Sequence, residues 1–122
     1  MTNAKMEPAR ESRIVNEIVV DAYDQCERAM GWYYHLEDCL GFPFVAKCAS
    51  RRSISPLRVG DEVQVLGLPE VEECGREVFV TVRYNESQLA VPLSQLAVVK
   101  GDKATKQAVS DWHYWVSRGY VY

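Results

Sequence analysis

The spacing of hydrophobic positions changes twice along the chain and divides it into a helical region, a strand region and a second helical region. From Ser12 to Gly41, apolar residues recur every three or four positions, as they do on one face of a helix. Gly41 and Pro43 are typical of a helix end. Gly31 falls inside this region and indicates either a break between two helices or a small residue where another element packs closely.

After Pro43 the apolar residues alternate with polar ones, which predicts short strands. The predicted strands are residues 44–49, 62–66, 78–84, 89–93 and 97–99, with one helical turn at 94–96. Pro92 marks a strand end or a sheet edge. A helical pattern returns from Thr105 to about Arg118. We therefore predict an α+β fold: an N-terminal helix with a break near Gly31 as one alternative, a small, strongly bent, five-stranded antiparallel barrel-like sheet, and a C-terminal helix.

The chain has 122 residues, a length typical of one domain. Residues 1–10 are polar and lack periodicity, so they are predicted to be a flexible N-terminal arm, with residues 11–122 forming a single domain. Charges interrupt every apolar run before it could span a membrane, and the N-terminus lacks the apolar core of a secretory signal. A cytoplasmic location without membrane association is the expectation.

The acidic residues are unevenly distributed and suggest a site for a hard cation. The net charge of −3 argues against binding to a nucleic-acid backbone. Glu37 and Asp38 fall at the predicted helix end, where their carboxylates lie beside the last free backbone carbonyls. A second acidic cluster occupies the segment Glu70–Glu77. Such oxygen donors suit Ca²⁺, although the chain has no EF-hand loop pattern. From the pattern alone, these acids fit either a calcium site or a solvated surface.

Two other groups of residues could carry chemistry. His35 and Cys39 lie one helical turn apart, as in half of a zinc site or a cysteine–histidine nucleophile, but each of these needs further groups that the sequence does not tie to the same place. His113 is the only other histidine. The aromatic run Asp111–Trp115 fits either the buried side of a helix that covers the sheet or a surface that binds a partner.

Seven segments occur in one order from about Arg13 to the C-terminus: Ile18–Tyr23, Trp32–Asp38, Phe42–Phe44, Val59–Val63, Cys74–Glu77, Leu89–Leu93 and Asp111–Trp115. Together they resemble the cyanobacterial calcium-binding protein (CcbP-like) family. The resemblance implies a bacterial, compact α+β domain that binds Ca²⁺ without an EF-hand and, in cyanobacterial members, buffers free calcium during cell differentiation. It also implies that Asp38 is the leading ligand and that Glu72 and Glu73 are further ligands.

The leading hypothesis is a non-enzymatic, cytosolic Ca²⁺-binding protein that buffers or senses calcium through Asp38, Glu37, Glu72 and Glu73. The alternative is a protein-interaction module that uses the small barrel and the aromatic helix of Trp112 and Trp115 without a metal. Under either hypothesis, a protein partner or a second copy of the chain is an expected further partner.

Overall fold

The computed structural model describes residues 7–20, 22, 24–70 and 77–119, and these residues form three α-helices and a five-stranded sheet. The helices are α1 (Pro8–Glu17), α2 (Gln25–Cys39) and α3 (Lys103–Ser117). The strands are β1 (Phe44–Cys48), β2 (Glu62–Gly67), β3 (Phe79–Tyr84), β4 (Ser87–Pro92) and β5 (Leu96–Lys100), with a 3₁₀ helix at Leu93–Gln95. Within these ranges, no helix has the length and apolarity needed to cross a membrane.

The sheet is antiparallel throughout and has the order β4–β3–β2–β1–β5. In β3, Val80 and Val82 point into the core and are fully buried, as the alternating pattern predicts. Asn85 and Glu86 form the tight turn between β3 and β4, and both have positive φ angles (48° and 67°), as two-residue hairpins require. The prediction of five antiparallel strands is confirmed. The sheet is not closed into a barrel, however, because the edge strands β4 and β5 do not pair with each other.

The N-terminal helical region consists of two helices, but α1 ends at Glu17 and α2 begins at Gln25, so the break is not at Gly31. Gly31 is inside α2, where a Cβ atom would lie only 2.4 Å from the carbonyl oxygen of Ile18. The glycine therefore permits close packing against the end of α1, which was the other interpretation of this residue. Helix α1 begins at Pro8, within the predicted N-terminal arm, and residues 1–6 of that arm lie outside the described residues.

The helices pack on the sheet through a core of tryptophans and valines. Trp32 of α2 and Trp112 of α3 are both fully buried, with their rings 5.0 Å apart and inclined at 72°. Edge-to-face contacts of this kind stabilise more than their buried area alone. This packing fixes the position of α2, so the residues at its C-terminal end are held on a rigid element.

Candidate calcium site

Glu37 and Asp38 lie in the last turn of α2, and both side chains are exposed. Neither carboxylate makes a hydrogen bond or ion pair with any residue that the structure describes. The last turn of α2 contains no basic residue. Because a helix C-terminus carries partial negative charge, each of these acids is unfavourable there by about 0.3–1 kcal/mol at low salt. A bound cation would reverse that electrostatic cost.

The end of α2 is held in place by contacts with α3. The backbone N–H of Leu40 donates to the carbonyl of Leu36 (2.9 Å), and the N–H of Gly41 donates to Oγ1 of Thr105 (2.8 Å). A Cβ atom at Gly41 would lie 2.9 Å from Oδ2 of Asp102, so the close approach of these two segments requires glycine. The backbone carbonyls of the last helical turn therefore have a defined position beside Glu37 and Asp38.

Asp102 is a third carboxylate near this turn, but it caps α3. Its Oδ1 accepts a hydrogen bond from the backbone N–H of Thr105 (2.8 Å). That backbone hydrogen bond, with a second from the Thr105 side chain, lowers the pKa of Asp102. Asp102 therefore remains ionised and adds negative potential beside Gly41, while its main role is to begin the helix.

The acidic loop between β2 and β3 contains the other two predicted ligands, Glu72 and Glu73, which lie outside the described residues. The segment before it contacts α2, because the hydroxyl of Tyr33 donates to the carbonyl of Pro69 at 2.6 Å. Tyr33 lies one helical turn before Glu37, so the two side chains share a side of the helix. The exposed Glu70 follows Pro69 directly. The loop therefore starts beside the helix that carries Glu37.

After the loop, Glu77 is already paired and is a poor candidate for a ligand. Its two carboxylate oxygens accept hydrogen bonds from the Arg52 guanidinium at 2.9 and 3.1 Å. The hydrogen bonds to Glu77 raise the pKa of Arg52. This bidentate contact ties the end of the loop to the segment that follows β1, so the described residues on both sides of the loop are anchored.

The described residues alone do not form a complete calcium site. Calcium takes six to eight oxygen ligands from carboxylates, carbonyls and water. Across residues 7–20, 22, 24–70 and 77–119, no three side chains of His, Cys, Asp or Glu meet closely enough to hold a metal ion. Glu37, Asp38 and the helix-end carbonyls form an all-oxygen donor set, which suits a hard cation. The remaining ligands have to come from the loop or from water.

A model of the CcbP family, described as calcium binding, matches residues 12–116 of the chain. The chain belongs to the CcbP calcium-binding family. A crystal structure of Anabaena CcbP is 37% identical and superposes with a TM-score of 0.86 over 100% of both chains. A calcium-binding protein solved in its calcium-binding form is 38% identical, with a TM-score of 0.84 over 95% of both chains. No curated protein matches the chain.

His35 and Cys39 do not form the activated cysteine–histidine pair that their spacing in the sequence would allow. The Cys39 sulfur lies 3.8 Å from both ring nitrogens of His35. Burial is the main factor that raises the pKa of Cys39, and nearby carboxylates act in the same direction. Burial also lowers the pKa of His35. A thiol and a neutral imidazole result, whereas a nucleophilic cysteine needs a lowered pKa. The ring of His113 contacts the carbonyl of Leu96 instead.

The aromatic residues of α3 form the interior of this CcbP-family fold. Trp112 is fully buried, and Trp115 and Tyr114 are only 4% exposed. The interpretation of this run as the buried side of a helix is therefore correct. The alternative function as an interaction module loses the aromatic helix as a binding surface, because Trp112 and Trp115 are buried, while binding through the small sheet stays a prediction.

Sequence reasoning missed the role of Tyr33 at the start of the acidic loop. The helical spacing of apolar residues predicts only that Tyr33 lies on a helix, whereas in the structure its hydroxyl donates a hydrogen bond to the carbonyl of Pro69. The two residues are separated by 36 positions, and no local pattern reports such a contact. The nearest available signal is the proline directly before the acidic run, which marks where the loop begins.

Proposed function

We propose that this chain is a Ca²⁺-binding protein without an EF-hand, with one site formed by Asp38, Glu37 and the loop acids Glu72 and Glu73. The observation that carries the proposal is the pair of exposed carboxylates at the C-terminal end of α2, which have no hydrogen-bond or ion-pair partner among the described residues. An acidic helix end without a basic neighbour is unfavourable for the helix itself. A divalent cation bound there interacts favourably with both the carboxylates and the helix dipole.

The acidic loop supports this assignment by its attachment. The hydrogen bond between Tyr33 and Pro69 holds the start of the loop against α2, the helix that carries Glu37. The ion pair between Arg52 and Glu77 holds the other end of the loop. Glu72 and Glu73 lie between these two anchors in the sequence. They are therefore the acids best placed along the chain to complete the oxygen set.

The function that follows is the buffering or sensing of calcium in the cytoplasm, without catalysis. Binding through exposed carboxylates on a rigid helix requires no rearrangement of the core, and this favours a buffering role. A sensor would have to change the exposure of an apolar surface when the ion binds. Comparing the hydrogen exchange of α2 and α3 with and without Ca²⁺ separates the two roles, because ion binding raises the protection of both helices, whereas only a sensor lowers protection where it exposes an apolar surface.

Calorimetric titration of the chelator-stripped protein tests the site. We expect saturable Ca²⁺ binding that Mg²⁺ does not reproduce, because Mg²⁺ demands stricter geometry and gives up its water reluctantly. Asp38→Asn removes a charge while nearly preserving shape, and it should weaken binding by about tenfold or more, since ligand charge sets calcium affinity.

The matched control is Glu62→Gln, which removes an exposed carboxylate from β2 and should leave the affinity unchanged. Equal affinity in wild type and Asp38→Asn would move the site elsewhere. Absence of binding up to millimolar Ca²⁺ would show that this chain keeps the family fold without the ion.

A further inference from the structure

The outward side of α2 combines apolar and acidic side chains, and we call it the acidic face of α2. All of its members are exposed: Glu27, Met30, Tyr34, Glu37 and Asp38. Their spacing of three or four positions places them on one side of the helix. Trp32 and Leu36 of the same helix point into the core and are fully buried. The acidic face is therefore the side of α2 that the fold leaves uncovered.

Two large apolar side chains lie within this face. Met30 is 43% exposed and Tyr34 is 49% exposed. The ring of Tyr34 rests edge-on against the ring of Tyr33, with centroids 5.6 Å apart. Because Tyr33 is itself held by Pro69, Tyr34 is supported from one side and loses little freedom when it makes a new contact. Methionine and tyrosine are also among the residue types enriched at protein interfaces.

The charge around these side chains identifies the kind of partner. Glu27, Glu37 and Asp38 flank Met30 and Tyr34, and they form no ion pair with residues that the structure describes. Arg28, the one arginine or lysine of α2, lies about 120° around the helix from Tyr34. A second copy of the chain would bring like charges together if it docked through the same face, which is unfavourable. A positively charged segment is complementary to it.

We propose that the acidic face of α2 docks a cationic segment of a partner protein, with Met30 and Tyr34 as the apolar anchors. The carboxylates form the charged rim, which attracts the partner and sets its orientation. Glu37 and Asp38 belong to both this face and the calcium site, so Ca²⁺ and the cationic segment compete. The competition rests on the proposed calcium function, whereas the docking itself does not.

The test uses a fluorescent synthetic peptide of lysine, leucine and one tryptophan, designed as an amphipathic helix, and measures its anisotropy with chelator present. We expect the purified protein to bind this peptide, and Tyr34→Ala and Met30→Ala each to weaken binding by about tenfold, as truncated anchors do. The matched control is Ile54→Ala, which truncates an apolar side chain that is 59% exposed elsewhere. A peptide with glutamate in place of lysine should not bind.

Equal binding by Tyr34→Ala and Ile54→Ala would overturn the proposal, as would concentration-dependent dimerisation that Tyr34→Ala abolishes. Calorimetry without the peptide measures calcium binding directly. A failure of the proposed calcium site is therefore distinguished from a failure of the docking. If calorimetry shows that Ca²⁺ binds, and Ca²⁺ also raises the dissociation constant of the peptide, the competition is supported. Ca²⁺ that binds without affecting the peptide would overturn the competition and leave the docking supported by the Tyr34→Ala result.

Discussion

Charged side chains at the α1–α3 interface and at the end of α2 are used in opposite ways. At the interface, Asp111 is 1% exposed and accepts two hydrogen bonds from the Arg13 guanidinium, both at 2.8 Å. At the end of α2, Glu37 and Asp38 are exposed and have no such partner among the described residues. The charges at the α1–α3 interface are paired within the protein, whereas the two carboxylates at the end of α2 have no partner among the described residues.

Glu11 is a second buried carboxylate at this interface, and it is paired within the protein as Asp111 is. Glu11 is 8% exposed; it accepts a hydrogen bond from the Tyr114 hydroxyl at 2.7 Å and lies 3.4 Å from Nε of Arg118. Buried carboxylates are tolerated only with such partners. The two regions therefore differ in the pairing of their carboxylates and not in acidity, and the proposed calcium site lies in the region whose carboxylates have no partner among the described residues.

The largest expected effect is the loss of stability on removing a paired, buried charge. Asp111→Ala leaves Arg13 without its bidentate partner and should lower the free energy of unfolding by about 3 kcal/mol, measured by urea denaturation. Asp38→Ala, the matched change in the other region, should alter it by less than about 0.5 kcal/mol, since it removes an exposed charge. Similar losses in the two variants would contradict the distinction between the regions.

The next effect concerns the contact that places the acidic loop beside α2. Tyr33→Phe removes only the hydroxyl that holds Pro69 and should lower the free energy of unfolding by about 1 kcal/mol. Calcium affinity, measured by calorimetry, should fall severalfold because the loop loses its anchor. Tyr84→Phe makes the same change on β3 and should leave the affinity unaltered. If Tyr33→Phe loses stability but keeps its affinity, the loop does not contribute to the site.

The smallest expected effect is a change in pH dependence at the pocket between α1, α2 and α3. Burial is the main factor that lowers the pKa of His35, and the positive charge of Arg13 acts in the same direction. The carboxylates of Asp111, Glu17 and Asp38 act in the opposite direction. The unfolded chain therefore binds the proton first, and stability is lost as the pH falls below about 6.5 towards the folded pKa.

His35→Gln removes this contribution. The melting temperature of the variant should fall less than that of wild type between about pH 7.5 and pH 5.5, a window that brackets the unperturbed histidine pKa. Its calcium affinity at neutral pH should not change. An identical decline in both proteins would assign the pH dependence to other groups.

Local signals in the sequence were sufficient for most elements and for the position of Glu37 and Asp38 at a helix end. Alternating valines located β2 and β3, and Gly41 correctly marked the end of α2. The same helix end placed Glu37 and Asp38 together. The sequence left two interpretations of Gly31 open, because a glycine is typical both of a helix break and of a close contact, and the structure shows the close contact with Ile18.

Long-range contacts account for what the sequence could not predict. The Arg13–Asp111 pair joins residues 98 positions apart, and Asp111 was seen only as part of an aromatic run. Whether the sheet closes into a barrel depends on which strand β5 pairs with. The hydrophobic periodicity of the sequence carries no information on that pairing. Whether Glu72 and Glu73 reach Asp38 is likewise a long-range question, and it stays a prediction.

The most direct test of the central claim is a crystal structure of the calcium-loaded protein, with the ion located by its anomalous scattering. The account predicts one ion at the C-terminal end of α2, within about 2.3–2.6 Å of the Asp38 carboxylate, as calcium–oxygen bonds require. It also predicts that Glu37 and the loop acids Glu72 and Glu73 supply further oxygens to that ion. An ion bound only at another part of the surface, with Asp38 facing solvent, would contradict it.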